Sequence, residues 1–363
     1  MFTFLPNYPA GKIHPHYRGR WIVVEQDGAV PVYRYPLFAD HSANLWRRAL
    51  GMVSMSLSIG LAYPALRRFR PDVLLVQSPP LLLATSGWAL AGAVQAKLVL
   101  NLSDLWPSAL ADLGALSRQS WSYRLLHQLE KFLYQKAGLV IGQSGEILQY
   151  LAVHAPAVPS LLYRNGVDLA SFAVMATVPS HKTPIKIVYT GLFGLAQGIL
   201  SLCQRVDFQA LGAELHLYGD GAERQQLADL IAAQPTRGIF LHQPIPMAQI
   251  PGLLTQFDAA LVAQKSHVYG TVPSKLYEAM AAGLPVIYLG AGEGARLVRE
   301  SGAGWVCAPG DAAALAQLMQ NWPHEPAIIQ QMSRNGRTAA ALTFNRDVYL
   351  QELLVSLTKI IPK

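Results

Sequence analysis

Apolar runs of strand length alternate with longer stretches of helical period through most of the chain, the pattern of repeated βα units and parallel sheets. Two such series occur. The first contains DVLLVQS (72–78), KLVLNLS (97–103) and GLVIGQS (138–144), each ending in a polar or small residue where a ligand-facing loop begins. Helices such as SYRLLHQLEKFLYQKA (122–137) fall between them. The second series contains IKIVYTG (185–191), AELHLYGDG (213–221), GIFLHQP (238–244), DAALVAQ (258–264) and PVIYLG (285–290). Between the two lies VMATVPSHKTP (174–184), aperiodic and carrying two prolines, which reads as a linker. At 363 residues the chain exceeds one comfortable core. The pattern predicts an α/β protein of two Rossmann-like domains, 1–175 and 176–345. A terminal segment, 346–363, follows; it is helical by period from about Val348 and is expected to pack back across the domain junction. The start of the chain departs from the pattern. A doubly wound domain opens with a strand, a glycine-rich turn and a helix, yet MFTFL runs straight into Pro6 and a loop, so the first βα unit of the N-terminal domain is missing from the expected series.

Composition adds one question. Hydrophobic residues make up 52% and charged residues 14%, with positive mean hydropathy, as in a protein with a large buried sheet or one that meets a membrane surface. Charge location bears on the choice. Of the net +7, the first 160 residues carry +6, from 14 basic against 8 acidic side chains. Within them Arg47, Arg48, Arg67, Arg68 and Arg70 bracket ALGMVSMSLSIGLAYPAL (49–66), which suits a helix lying in a membrane interface rich in anionic headgroups. A buried helix with solvated arginine ends satisfies the same residues. As a membrane-spanning helix the segment is poor, being serine-rich and interrupted by Pro64. Cys203 and Cys307 are far apart and show no metal-ligand spacing, which argues against a disulfide framework and a zinc site and fits a reducing cytoplasm. No secretory signal pattern opens the chain. The basic clusters lack the aromatic interleaving of a nucleic-acid module.

Most of the chemistry is concentrated in TVPSKLYEAMAAGLPVIYLGAGE (271–293). Thr271, Pro273, Ser274 and Lys275 form a loop entering a helix, whose free N–H groups and positive end favour a diphosphate, and Lys275 adds a full charge. Glu278, one turn later on the same face, is placed to accept hydrogen bonds from the two hydroxyls of a ribose. Gly283 and Pro285 close the helix, and the turn GAGEG follows VIYL at a strand's carboxyl end, where ligands bind in open α/β sheets. An ordinary capped surface helix with one exposed lysine is the plain alternative. His127 and His216 lack partners at ligand spacing and read as structural. Asp220 has no second aspartate at DxD spacing, so the sequence requires no metal ion and no cofactor.

Taken together, LPNYPAGKIHPHYRGR (5–20), RPDVLLVQSP (70–79), SDLWPSALADLGAL (103–116), RNGVDLASF (164–172), VYTGLFGLAQGI (188–199), YGDGAERQQL (218–227) and the TVPSK…E motif make the chain resemble glycosyltransferase family four, of GT-B fold. Within that family it is similar to the bacterial enzymes that build lipid-linked surface polysaccharides such as O-antigen, capsule and colanic acid. The resemblance implies two Rossmann-like domains with parallel sheets facing a cleft. It also implies that the loop after the first strand of the second domain approaches the donor diphosphate, with Gly191 and Gly194 permitting that approach. Gln197 stands where the family carries a lysine. Gly270 replaces the first glutamate of the Glu-x7-Glu pair, whose second member is Glu278. The turn Gly219, Asp220, Gly221 is expected to border the uracil ring or ribose, although a plain β-turn explains it nearly as well; the loop HQPIPMAQI, with Pro244, is expected to meet the base. In the first domain Asp104 is the candidate catalytic or acceptor-orienting carboxylate, with the N-cap of the following helix as its alternative. Trp106 is a candidate for stacking on the acceptor, or a core tryptophan. Asn7, Tyr8, Lys12 and Tyr17 are acceptor-loop candidates.

The function this implies is retaining transfer of a hexose or N-acetylhexosamine from a UDP-sugar to a polyprenyl-diphosphate-linked acceptor, by a protein peripheral on the inner face of the cell membrane. Lys275 and Asp104 would be its catalytic residues. A UDP-N-acetylhexosamine epimerase of the same architecture is the second reading, disfavoured by the sparse carboxylates and histidines. A noncatalytic or truncated partner subunit is the third, and with it comes the expectation that the native protein starts upstream of Met1 or is poorly active and aggregation-prone as given.

Overall fold

The computed structural model describes residues 1–7, 11–40, 45–172, 184–323 and 325–361. By its contacts the chain forms two units, Met1–Leu162 with Glu352–Lys363, and Tyr163–Gln351. The expected linker, apart from Pro184, lies outside the described residues. The terminal helix runs Arg346–Ile360, and from Glu352 onward the chain groups with the first unit.

The second unit is built on a six-stranded parallel sheet: β8 (Ile185–Leu192), β9 (Ala213–Asp220), β10 (Ile239–His242), β11 (Ala259–Ala263), β12 (Val286–Leu289) and β13 (Gly304–Cys307), in the order β10-β9-β8-β11-β12-β13. The cause is visible in the residues. Side chains alternate between the faces of a strand, and here both faces are apolar: Val188, Ala260, Val262, Val286 and Tyr288 enter one core, while Ile187, Tyr189, Leu215, Leu217, Leu261, Ile287 and Leu289 enter the other. Each core needs a covering layer. The Ser274–Ala282 helix supplies part of the first through Leu276, Tyr277, Ala279 and Met280, and the Ile199–Arg205 helix part of the second through Ile199, Leu202 and Cys203. The chain moves outward from β8 to β10 and then returns to β8's other side as β11. The strand order thus reverses between β8 and β11, and the carboxyl ends beside such a switch point are the general ligand position of doubly wound sheets.

The first unit holds two sheets. β4 (Val73–Ser78), β5 (Lys97–Leu102), β6 (Leu139–Gly142) and β7 (Ser160–Leu162) are parallel and adjacent in that order, with Leu98, Val99, Leu100 and Leu102 buried at their centre. The short run at the chain start does form a strand, β1 (Phe2–Phe4). It pairs in parallel with β3 (Val30–Tyr35), which forms a hairpin with β2 (Val23–Asp27). The arginine-bracketed segment is helical in three pieces, Leu45–Ser58, Ile59–Ala62 and Tyr63–Phe69, with Pro64 in the first turn of the last. Ile59, Ala62 and Leu66 are buried, whereas Trp46, Leu50, Val53, Leu57 and Leu61 are exposed at helical spacing. The buried and the exposed apolar positions of this segment thus fall on different faces. Cys203 and Cys307 are buried free thiols, and burial raises the Cys203 pKa to about 12.

Candidate functional site

The Ser274–Ala282 helix begins where Pro273 occupies the cap position and no side chain caps it. Its first-turn N–H groups therefore point out of the helix with positive partial charge. The other end stops at Gly283, whose φ of 74° is left-handed and whose missing Cβ makes room for the Arg337 guanidinium. Lys275 and Glu278 face each other across one turn, Nζ lying 3.1 Å from Oε1 and 3.3 Å from Oε2. The pair is partly solvated and its mutual attraction modest, so either member can exchange its partner for a ligand at small cost.

Ser274 and Glu278 open on a cavity of about 770 Å³, within the range of ligand pockets. Met247, Ala248, Ile250 and Pro251 form one wall, from the loop and helix after β10. Asn165, Gly166, Val167 and Asp168 form another, together with Arg346. This second wall is stitched to a distant part of the chain: Val167 N–H donates to the Phe344 carbonyl at 2.8 Å and Arg346 N–H donates to the Val167 carbonyl at 3.1 Å. Gly166 is needed at the seam, since a Cβ there would stand 2.9 Å from the Phe344 oxygen. The Asp168 carboxylate accepts from the Ser171 hydroxyl, which together with backbone donors lowers its pKa.

The glycine-rich turns expected to border the donor lie against each other. Gly191 pairs with Gly219 across β8 and β9, and a Cβ on Gly219 would overlap the Gly191 carbonyl. The Phe193 N–H donates to the Asp220 carbonyl at 2.9 Å, and the Asp220 carboxylate accepts from its neighbour Gly221 at 2.8 Å. Gly194 abuts Gln197, whose side-chain oxygen is 2.9 Å from where a Cβ would stand. Pro244 is exposed and does not line the cavity; Met247 and Ala248 of the same loop do.

Four residues outside the candidate set shape this end of the sheet. Arg224 donates to the Gly219 carbonyl at 2.6 Å and the His242 carbonyl at 3.1 Å, pinning the β9 turn to the loop after β10. Lys265 donates its main-chain N–H to the Ala196 carbonyl at 2.8 Å while its side chain stays exposed, which brings a cation to the loop where Gln197 supplies none. Arg164 and Glu293 form a buried ion pair between the RNGVD segment and the first turn of the Gly292–Ser301 helix. The RNGVD motif was the available signal for Arg164, as YGDGAERQQL was for Arg224 and the GAGEG turn for Glu293; nothing local marked Lys265.

In the first unit, Asp104 follows β5 but does not cap the next helix. The cap position of Ser108–Asp112 is Pro107, without a side-chain cap. Beside it the carboxyl ends of β4 and β5 carry a polar ladder, Asn101 to Gln77 at 2.8 Å and Gln77 to Ser103 at 2.9 Å. Trp106 is half-buried. Ser108 lies 3.2 Å from the Tyr123 hydroxyl, close to a buried network in which Tyr134 and Tyr150 each donate to Glu130 at 2.8 Å and His127 Nδ1 sits 2.9 Å from the same carboxylate. Burial raises the Glu130 pKa to about 7, against the opposing tyrosine hydrogen bonds. His127 is thus partnered after all, and so is His216, 3.0 Å from His242 and 3.1 Å from Glu214. Asn7 donates to the Leu5 carbonyl, Lys12 is exposed, and the Tyr17 hydroxyl donates to Glu25 at 2.7 Å. Tyr8 lies outside the described residues. Among the described residues no cluster of three metal-ligating side chains occurs.

Two family models match the chain, "Glycosyl transferases group 1" over residues 176–339 and "Glycosyl transferase 4-like domain" over residues 4–166. WbjE of Pseudomonas aeruginosa, named as a glycosyltransferase, is 31% identical over 268 residues, which are 70% of this chain and 66% of WbjE. WcaI of Escherichia coli, named as a colanic acid biosynthesis glycosyl transferase, is 23% identical over 78% of this chain and 73% of its own. Among solved structures, sucrose-phosphate synthase of Thermosynechococcus elongatus has a TM-score of 0.77 at 20% identity, covering 99% of this chain and 88% of its own. HepE of Anabaena, in complex with UDP-glucose, has a TM-score of 0.68 at 15% identity, covering 91% and 86%. These likenesses establish the GT-B fold.

Proposed function

Because the chain belongs to glycosyltransferase family four and is a glycosyltransferase of GT-B fold, we propose that it moves a hexose or N-acetylhexosamine from a UDP-sugar to a polyprenyl-diphosphate-linked acceptor in surface polysaccharide synthesis, with retention at the anomeric carbon. The observation that carries this reading is the Lys275–Glu278 pair at the uncapped start of the Ser274–Ala282 helix, beside a nucleotide-sized cavity. The names of the relatives support the pathway, and the UDP-glucose complex of HepE supports the donor class.

In this mechanism the donor separates the pair. Lys275 turns from Glu278 to the β-phosphate, and Glu278, released, accepts from the ribose hydroxyls. The helix N–H groups, the Ser274 hydroxyl and Lys275 then hold the charge that gathers on the departing phosphate oxygens as the glycosidic bond breaks. Lys265 adds a second positive charge near the loop after β8. The acceptor hydroxyl attacks from the face the diphosphate leaves, its proton passing to that diphosphate, so no carboxylate nucleophile is needed. A panel of nucleotide-sugars tested by thermal shift checks the donor class: UDP-sugars at about 100 times Kd should stabilise by roughly 2.7 kcal/mol. A GDP- or ADP-sugar that stabilises while every UDP-sugar fails would refute the uridine assignment.

The same reading places the protein peripherally on the anionic, cytoplasmic leaflet. Trp46, Leu50, Val53 and Leu57 form an exposed apolar stripe on the Leu45–Ser58 helix, with Arg47, Arg67, Arg68 and Arg70 around the helical segment. Each basic side chain near such a surface contributes about 1 kcal/mol, and apolar insertion adds to it. The protein should therefore co-float with vesicles containing anionic phospholipid and release as salt rises. Trp46→Asp with Leu57→Asp should abolish flotation without affecting folding, because both side chains are exposed. Undiminished flotation of that variant would locate the membrane contact elsewhere.

A further inference from the structure

One ionisable group of the first unit is deeply buried and takes no part in the donor site. Glu130, in the Trp121–Lys136 helix, is fully buried, and among the described residues no lysine or arginine reaches ion-pair distance of it. Burying a carboxyl in this way is costly, and an apolar side chain would pack there without that cost. Hydroxyl and imidazole groups stand in for a cation. Tyr134 donates to Oε1 at 2.8 Å, and Tyr150, from the Gly145–His154 helix, donates to Oε2 at 2.8 Å. His127 Nδ1 lies 2.9 Å from Oε2 as well. Burial, with Lys131 and His154 nearby, holds the His127 pKa below its ordinary value, so the ring is neutral near neutral pH and serves as a donor without adding charge. A proton on Oε2 turns that oxygen into a donor. The bonds from Tyr150 and His127 then cannot both keep their direction, and whichever remains is no longer charge-assisted.

Ser108 connects this cluster to the loop after β5. Its hydroxyl is buried, lies 3.2 Å from the Tyr123 hydroxyl and also interacts with Tyr150. The Tyr123 ring stacks on His127, and the Tyr150 ring on His154. Ser108 opens the Ser108–Asp112 helix directly after residues 104–107, so the loop that carries Asp104 and Trp106 leans on the Glu130 cluster through this hydroxyl. The other charged groups around the cluster are Lys131 and the Arg118–Asp112 pair; the Leu81–Ala93 helix, packed on the same helix through Trp88 and Phe132, carries none. With burial raising the Glu130 pKa to about 7, the carboxylate prevails above that pH and the acid below it.

We propose that Glu130 is a positioning residue for the acceptor loop: its carboxylate fixes the tyrosine hydroxyls on which Ser108 rests, and so holds Asp104 and Trp106 where the acceptor docks, while protonation of the carboxylate loosens that hold. The proposal rests on the reading that this loop meets the acceptor. Glu130 itself touches no substrate and acts only through Tyr150, Tyr123 and Ser108. Transfer should accordingly gain in acceptor affinity, and not in donor affinity, as the carboxyl ionises.

The test compares the full chain with its Glu130→Gln and Ser108→Ala variants, from about pH 6 to about pH 8, by two readouts. The first is hydrogen exchange at residues 103–113, corrected for the intrinsic pH dependence of amide exchange, and it needs no substrate. In the unmodified chain this segment should exchange about fivefold more slowly at the upper pH, the worth of roughly one hydrogen bond. Both variants should exchange at the faster rate throughout. Ser108→Ala is the safeguard, because it leaves the buried carboxylate and its donors in place and removes only the link to the loop. The second readout is steady-state transfer from UDP-sugars to farnesyl-diphosphate-linked sugars: acceptor KM should fall about fivefold as pH rises through about 7, with donor KM unchanged, and both variants should keep the low-pH acceptor KM. Exchange that ignores pH, or that follows it equally in Glu130→Gln, would overturn the proposal. Exchange that follows Glu130 while acceptor KM does not would refute the positioning role, since the loop would then be one the acceptor never meets. Absence of turnover with every UDP-sugar would fall on the donor assignment, and the exchange readout would still decide whether Glu130 holds the loop.

Discussion

Replacing Lys275 by alanine should lower kcat for UDP release by about two to three orders of magnitude, the usual cost of deleting one donor to a charge that develops in the transition state. Two features of the site place the effect at the top of that range. In the proposed mechanism, loss of the ammonium removes the cation opposite the leaving group, and it also strips the Glu278 carboxylate of the partner 3.1 Å away that would offset its charge beside an anionic donor. Folding should be intact, since a partly solvated pair contributes little to stability. The readout is turnover of the UDP-sugar with a prenyl-diphosphate-linked acceptor, together with a circular dichroism melt. Glu278→Ala separates the roles: it should weaken UDP binding by about tenfold, the loss of hydrogen bonds to a charged acceptor, and should change kcat less than Lys275→Ala does. If Lys275→Ala turns over at the wild-type rate, the lysine is not the phosphate's partner and the mechanism must be redrawn around Lys265.

Much of this site was legible because its signals are local. A proline-serine-lysine entry, a glutamate one turn on and a glycine at the end specify a helix with a charged mouth, and the helix runs Ser274–Ala282 as that pattern requires. The apolar runs of the second domain became β8 through β12 because their apolar positions enter the core on one face or the other, throughout β11 and β12 and at alternate positions in β9. What escaped the sequence is what the sheet register and distant chain contacts assemble. His216 reads as a lone histidine until β9 and β10 align, with Phe240 opposite His216 and His242 opposite Tyr218. The cavity wall at Asn165–Asp168 depends on the seam between Val167 and Phe344–Arg346, which no periodicity announces. Glu130 was the avoidable omission: it stands three residues from His127 on the same helix, a spacing that brings side chains together.

A second large effect is expected at the other charged pair of this unit. Glu293→Gln should destabilise the unit by about 3–5 kcal/mol, the cost of stranding one member of a buried ion pair. The Glu293 carboxylate is fully buried and Arg164 nearly so, while Arg296, the other cation near it, approaches no closer than 3.9 Å. The amide keeps the shape of the side chain and loses its charge, so the guanidinium remains in the interior without compensation. Because the pair ties the segment after β7 to the turn after β12, the loss should be shared by the unit as a whole. Hydrogen exchange at Val286–Leu289, at the centre of the sheet, is a suitable measure, because such amides open only with global unfolding. Their exchange should accelerate by two orders of magnitude or more. The double replacement Arg164→Met with Glu293→Leu should recover most of that loss, since desolvating two charges offsets much of their mutual attraction and an apolar pair of similar volume escapes it. If the double variant is as unstable as the single one, the deficit comes from packing around Tyr277 and Phe344, and the charge pair itself holds nothing together.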